Sequence, residues 1–186
     1  MEKRQLKRLM TIATRAALDA GKAVNEVYQK KDFEIESKAD ETPVTLADRR
    51  SHQIIMDHLQ QTTYPILSEE GKDIPYEERI GWEYFWLVDP LDGTKEFIKK
   101  NGEFTVNIAL IHNQEPILGV VFAPYVCDLY FGSLPWGAYK VEAIKEHQTH
   151  FKDLDELIKE AQILPFPGER DQLVIVASRS HLNDQT

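Results

Sequence analysis

The chain is short of most features that would set it apart from an ordinary globular protein, and each shortage excludes something. One cysteine, Cys127, is present in 186 residues. No disulfide framework can therefore exist, which fits a reducing compartment. Cys127 lies in an apolar run and reads as an inert core thiol. No apolar stretch reaches the ~18 residues of a membrane span, and no signal-peptide h-region is present. No transmembrane segment is expected, and the expected location is the cytoplasm, free or peripheral at the inner membrane. Positive charge is scarce: 22 Lys and Arg face 31 Asp and Glu, a net charge of −9. With no basic run to offset that balance, polymeric nucleic acid and anionic membranes are poor partners. Repeats and low-complexity tracts are missing too, which excludes solenoids and linker-like chains. What remains is long enough to bury about 70% of its unfolded surface, so neither a disulfide nor a structural metal is needed for folding.

Periodicity supplies the elements. Leu6, Leu9, Met10, Ala13, Ala16, Ala17, Ala20, Val24 and Val27 recur at helical spacing, which predicts one long helix over 3–30. A short strand, Phe33 to Glu36, follows. A second helix is expected from Thr45 to Gln60, with Ala47, Ile54, Ile55 and Leu59 inward. Strands are expected over 64–68, 84–89, 104–112, 115–123, 126–131 and 136–141, with a tight hairpin at His112 to Glu115. Asp153 to Ala161 reads as a short amphipathic helix, Pro165 to Gly168 as a break, and Leu173 to Ala177 as a further strand. Helices first and hairpin-linked strands afterwards argue for an α+β class, helices packed on a largely antiparallel sheet. The expected organisation is one domain over 1–168 and, over 169–186, the start of an incomplete second subdomain.

The richest segment is Val88-Asp89-Pro90-Leu91-Asp92-Gly93-Thr94-Lys95, fed by the apolar run Tyr84 to Val88. It sets two carboxylates three positions apart, with Pro90 fixing φ between them and Gly93 freeing the backbone. Two carboxylates about 4 Å apart repel by roughly 4 kcal/mol at an effective dielectric near 20. One of them should take up a proton unless a cation lies between them. Hard oxygen donors on a stiff loop suit Mg²⁺. The plain alternative is an Asx turn that closes a strand. A second acidic pair, Glu69-Glu70, ends the apolar run Tyr64 to Ser68, and two such ends would form a cluster if the strands are neighbours. Thr45-x-x-Asp48 is a capping-box pattern, in which Asp48 would bind backbone. Thr94 opens a helical stretch whose first N–H groups suit phosphate. Lys38 and Lys95 read as solvated lysines. His52, His58, His112, His147 and His150 show no metal-ligand spacing, and Trp82, Trp86 and Trp136 read as core or strand aromatics.

Leu67 to Glu70, Trp86 to Phe97 and Asn101 to Asn107 resemble the inositol monophosphatase superfamily, a resemblance that runs from about Ala16 to about His181. Ser37 to Asp40, Pro43 to Asp48, Ser68, Glu96-Phe97 and Ser178 to His181 are similar to its branch of CysQ-type 3'(2'),5'-bisphosphate nucleotidases. The resemblance implies a layered α/β sugar-phosphatase-type fold and a phosphomonoesterase that hydrolyses adenosine 3',5'-bisphosphate to AMP and phosphate, with the sulfated precursor as a second substrate. That is a recycling step for a by-product of sulfur assimilation. It implies two or three Mg²⁺ ions: one on Glu69, Asp89 and the Leu91 carbonyl, another on Asp89 and Asp92. Asp48, Glu70 and Thr94 would orient the attacking water. Gly93, Thr94, Lys38, Arg179 and His181 would contact substrate. The family's further metal-binding aspartate, in a Trp-Asp motif, is expected beyond Thr186, which implies an incomplete enzyme of low activity that tends to self-associate. The alternatives are an inositol or sugar monophosphatase, or a non-catalytic Mg²⁺-binding fragment. A small nucleotide bisphosphate is the expected partner, and a monomer or weak dimer the expected state.

Overall fold

In the computed structural model, residues 1–30, 35–37, 43–144 and 151–166 are described. Helix α1 spans Lys3–Tyr28, and every apolar position of its sequence stripe is buried. The middle of the stripe, Ala13, Ala16, Ala17 and Ala20, is alanine, so the helix axis can approach the sheet closely there. At Gly21 the approach is too close for a side chain, because a Cβ there would lie 2.4 Å from the Phe122 ring. Helix α2, Leu46–Leu59, lies beside α1 and packs on strand β4. It starts where the sequence says it should, at a Thr45 cap.

Two short strands, β1 (Ile35–Ser37) and β2 (Pro43–Thr45), form a separate antiparallel pair ahead of α2. Among the described residues the main sheet has seven strands in simple chain order. They are β3 (Ile66–Ser68), β4 (Tyr84–Asp92), β5 (Thr105–His112), β6 (Glu115–Ala123), β7 (Asp128–Ser133), β8 (Gly137–Val141) and β9 (Gln162–Leu164). Among the described residues only β3 and β4 run parallel; the other neighbours are antiparallel, with β5 to β8 linked by short hairpins. Among the described residues three short helices intervene: α3 (Tyr76–Arg79), α4 (Thr94–Ile98) and α5 (Leu154–Glu160).

Strand alternation divides the sheet into two faces. Trp86, Val88, Val106, Ile108, Leu110, Val120, Phe122, Leu129 and Phe131 are buried on the face that α1 and α2 cover. Trp86 also donates from Nε1 to the Thr62 hydroxyl at 2.9 Å, so its one polar group is satisfied inside the core. The opposite face carries Leu67, Leu87, Ala109, Gly119 and Val121 around a cleft of about 480 Å³. Leu87 there is 44% exposed. The expected α+β architecture, helices against a largely antiparallel sheet, is what this chain adopts.

Some expectations need correction. Strand β7 begins at Asp128, not at 126, because Cys127 takes a left-handed φ of 59° in the turn before it. Cys127 is consequently half-buried at a turn, its thiol 3.4 Å from the Pro124 carbonyl, and packs against the edge of the core instead of lying inside it. Strand β4 does not stop at Asp89 but continues to Asp92. Helix α3 and strands β2 and β9 are too short for periodicity to reveal. Phe33, Glu34 and the segment 169–186, including Leu173 to Ala177, lie outside the described residues.

Candidate active site

The acidic motif is an irregular strand. On β4, Asp89 pairs with Asn107 of β5, and Asp92 pairs with Thr105. Three steps on β4 therefore face two on β5, so one extra residue is inserted at Pro90-Leu91. This is a β-bulge, and Pro90 is tolerated there because a bulge need not donate to the ladder. In a regular strand, residues three apart point to opposite faces. The extra residue cancels that rule. Pro90 and Leu91 are buried in succession, and Asp92 emerges beside Asp89, exposed. Gly93 then turns the chain at φ +91°, where a Cβ would lie 2.8 Å from the Glu103 carbonyl oxygen. Helix α4 starts at Thr94.

The second acidic pair arrives through parallel pairing. Ser68 is in register with Val88, and the Glu69 N–H donates to the Val88 carbonyl at 3.0 Å. Glu69 thus stands beside Asp89. Glu69 and Glu70 are the two central residues of a tight turn closed by Gly71 N–H on the Ser68 carbonyl at 3.0 Å. The consequence for Asp89 is large. Burial raises its pKa first, the charges of Glu69 and Asp92 raise it further, and it is pushed up to about 7. A hydrogen bond shared with Glu69 acts in the same direction, and only the Leu91 N–H, 3.2 Å from Oδ1, opposes it.

Asp48 serves two partners at once. Its Oδ2 accepts from the Thr45 N–H at 2.7 Å and the Thr45 hydroxyl at 2.6 Å, completing the capping box of α2. Its Oδ1 accepts from Thr94 Oγ1 at 3.1 Å. Burial raises the Asp48 pKa, and the hydrogen bonds from Thr45 and Thr94 partly offset this. Thr94 Oγ1 also lies 3.2 Å from the Leu91 carbonyl. A hydroxyl has one proton, so when it donates to Asp48 the Leu91 oxygen keeps its lone pairs available.

The sequence did not flag several side chains that hold this arrangement. Ser51 Oγ donates to the Pro90 carbonyl at 2.6 Å and pins the bulge to α2. His52 Nδ1 lies 2.9 Å from Ser68 Oγ, and burial holds the imidazole pKa below its usual value. Asn107 Nδ2 donates to Asp92 Oδ2 at 3.2 Å, while its buried Oδ1 has no protein partner. Asp48, Ser51 and His52 occur at i, i+3 and i+4, one face of one helical turn. That spacing was the available signal.

The oxygen-only donor set fits a hard divalent cation. Among the described residues, no three His, Cys, Asp or Glu side chains are already closed into a metal cage. The raised Asp89 pKa shows instead carboxylates close enough to repel, which a cation would relieve. Of the expected site, Asp48, Glu69, Glu70, Asp89, Leu91, Asp92, Gly93 and Thr94 belong to two neighbouring strand ends and the starts of two helices, α2 and α4. Lys38, Arg179 and His181 lie outside the described residues. No helix among the described residues is long and apolar enough to cross a membrane.

Comparison with known proteins agrees with this geometry. The 3'(2'),5'-bisphosphate nucleotidase CysQ of Escherichia coli strain K12 is 50% identical over 141 residues, 74% of this chain. The chain spans 56% of that relative's length. The crystal structure of CysQ from Bacteroides thetaiotaomicron, a bacterial member of the inositol monophosphatase family, superposes with a TM-score of 0.85 at 41% identity. That superposition covers 98% of this chain and 67% of the other. The extragenic suppressor protein suhB from Bartonella henselae is more distant, at 28% identity and a TM-score of 0.64 over 72% of this chain and 52% of its own. The sequence profile of one family matches residues 5–170, and with the bulged acid pair and its capped helix it places the chain in the inositol monophosphatase family.

Proposed function

We propose that the protein is a Mg²⁺-dependent phosphomonoesterase that hydrolyses adenosine 3',5'-bisphosphate to AMP and phosphate, recycling a by-product of sulfur assimilation. The observation that carries this reading is the placement of the Asp48–Thr94 pair, 3.1 Å apart, beside a carboxylate pushed up to about 7 by its acidic neighbours. Glu69, Asp89 and the Leu91 carbonyl would hold one Mg²⁺, and Asp89 with Asp92 a second. When bound, the metal supplies a water acidified towards neutrality and offsets charge on the phosphoryl oxygens.

The chain's own groups do the rest. Thr94 donates its proton to Asp48, which leaves the lone pairs of Oγ1 to accept from the attacking water. Asp48, raised in pKa by burial, is the acceptor at the end of that short relay. Glu70 sits on the same turn as Glu69 and orients the water from the other side. The Gly93 and Thr94 N–H groups face the phosphoryl oxygens. A new P–O bond forms to the water oxygen, the ester P–O bond breaks, and a proton passes to the leaving ribose oxygen. Lys38, Arg179 and His181 are the proposed contacts to ribose and the second phosphate.

The relatives that share 50% and 41% of their residues with this chain carry the CysQ name, whereas the inositol monophosphatase from Anabaena (Nostoc) sp. PCC 7120 shares 27%. This supports a nucleotide bisphosphate over an inositol phosphate. Phosphate release by the full-length protein under Mg²⁺ tests the choice. Faster hydrolysis of adenosine 3',5'-bisphosphate than of inositol 1-phosphate is expected, and the reverse order overturns the reading. Turnover of neither substrate would leave a metal-binding module.

A further inference from the structure

We propose that His52 is a positioning residue that holds the Glu69-Glu70 turn in place through the hydroxyl of Ser68. The inference rests on the proposed metal site, but on contacts that the site does not itself use. Ser68 is the last residue of β3 and the first residue of the turn that carries both glutamates. Its backbone is fixed on both sides: its carbonyl accepts from Gly71, and the next N–H, that of Glu69, bonds the Val88 carbonyl. The side chain is fixed as well. Ser68 is buried, and its Oγ lies 2.9 Å from His52 Nδ1. A one-residue shift of a strand moves its side chains to the other face, so an anchor at Ser68 decides which way Glu69 points.

Helix α2 then acts as a jig for the whole site. Asp48 holds Thr94, Ser51 holds the carbonyl of the β4 bulge, and His52 holds the end of β3. These residues lie within one turn of one helix whose start is fixed by a capping box. The parallel strands β3 and β4 are joined by only three register pairs. A short ladder needs a second constraint if two acids are to keep their separation, and the imidazole supplies it. The arrangement is that of an outer-shell residue orienting a ligand-bearing segment.

Isothermal titration calorimetry of Mg²⁺ into the full-length protein tests this without relying on turnover. His52→Ala and Ser68→Ala should each weaken binding by about tenfold or more, the range seen when outer-shell partners are removed. The double variant should be no worse than either single one, because both remove the same contact. His52→Asn, whose amide reaches the position of Nδ1, should recover most of the affinity. Alanine variants that melt earlier but bind Mg²⁺ within about twofold of wild type would overturn the positioning role and leave a structural one. Losses that add in the double variant would also overturn it. Wild-type protein that shows no saturable Mg²⁺ binding would instead sink the metal site itself, and this inference with it.

Discussion

Replacing Asp89 by Asn separates what this carboxylate costs the empty fold from what it gives the metal-loaded one. Its pKa is raised from 3.8 to about 7, by burial first and then by Glu69 and Asp92. A carboxyl that binds its proton more tightly when folded stabilises the fold below pH ~4, and that stability is lost as pH rises through about 7. The full shift of about three pH units corresponds to ~4 kcal/mol. Asp89 is only partly buried, and solvent screening reduces the usable figure to about 2 kcal/mol. Without metal, Asp89→Asn should therefore be more stable than wild type by about 2 kcal/mol at pH 7.5. The difference should vanish near pH 4, where wild type is protonated as well. Urea titrations in EDTA across that range measure it. Saturating Mg²⁺ should reverse the order, since a ligand at a hundred times its Kd stabilises by about 2.7 kcal/mol and the variant binds it poorly. Equal pH slopes for the two proteins in EDTA would refute the claim that Asp89 titrates near neutrality.

Thr94→Ala should lower turnover by at least about a hundredfold with a circular dichroism spectrum unchanged, because the relay to Asp48 is lost while the capping box is kept. Asp48→Ala should lose activity and, in addition, about 1 kcal/mol of stability measured by urea unfolding, since it also removes the cap's reciprocal bond. Ser51→Ala leaves the Pro90 carbonyl without its hydroxyl donor in a buried position; a loss of about 1–3 kcal/mol is expected, and an unchanged unfolding midpoint would contradict it. Gly93→Ala forces a side chain into φ +91° and against Glu103. It should cost at least about 1–2 kcal/mol in thermal unfolding and abolish phosphate release.

The parts of the fold that could be read from the sequence are those whose signal is long. Helix α1 repeats its apolar stripe over about six turns, and every position that periodicity names is buried, with Thr14, Leu18, Gly21 and Ala23 besides. The hairpins β5 to β8 alternate cleanly enough to be placed within a residue or two. Three-residue strands such as β2 and β9 carry too little alternation to be seen. In the site, Glu69, Asp89 and Asp92 announce themselves because paired acids at strand ends are costly, and Asp48 through its capping-box spacing from Thr45. Asp48 was visible as two readings of one residue, and the structure shows both its capping bond to Thr45 and its contact with Thr94. Ser51 and His52 stayed silent for a physical reason. Their partners are a backbone carbonyl 39 residues away and a serine hydroxyl 16 away, and no local pattern encodes either contact. Asn107 is silent likewise, since its role follows from the register of β4 on β5.

The bulge at Pro90-Leu91 makes the chemistry depend on parity. Asp89 and Asp92 share a face only because the number of residues between them breaks the two-residue rhythm of the strand once. Removing one residue here would not merely tighten a loop. It would restore regular pairing and set the two carboxylates two positions apart, still on one face, but without the bulge that presents the Leu91 carbonyl beside Thr94. An added residue, with the bulge kept, would send the second carboxylate into the helix-covered side. The proposed site therefore depends on chain length as well as on side chains. A chain that has gained one residue between these two aspartates could keep this fold while losing the carboxylate pair on which the proposed hydrolysis rests.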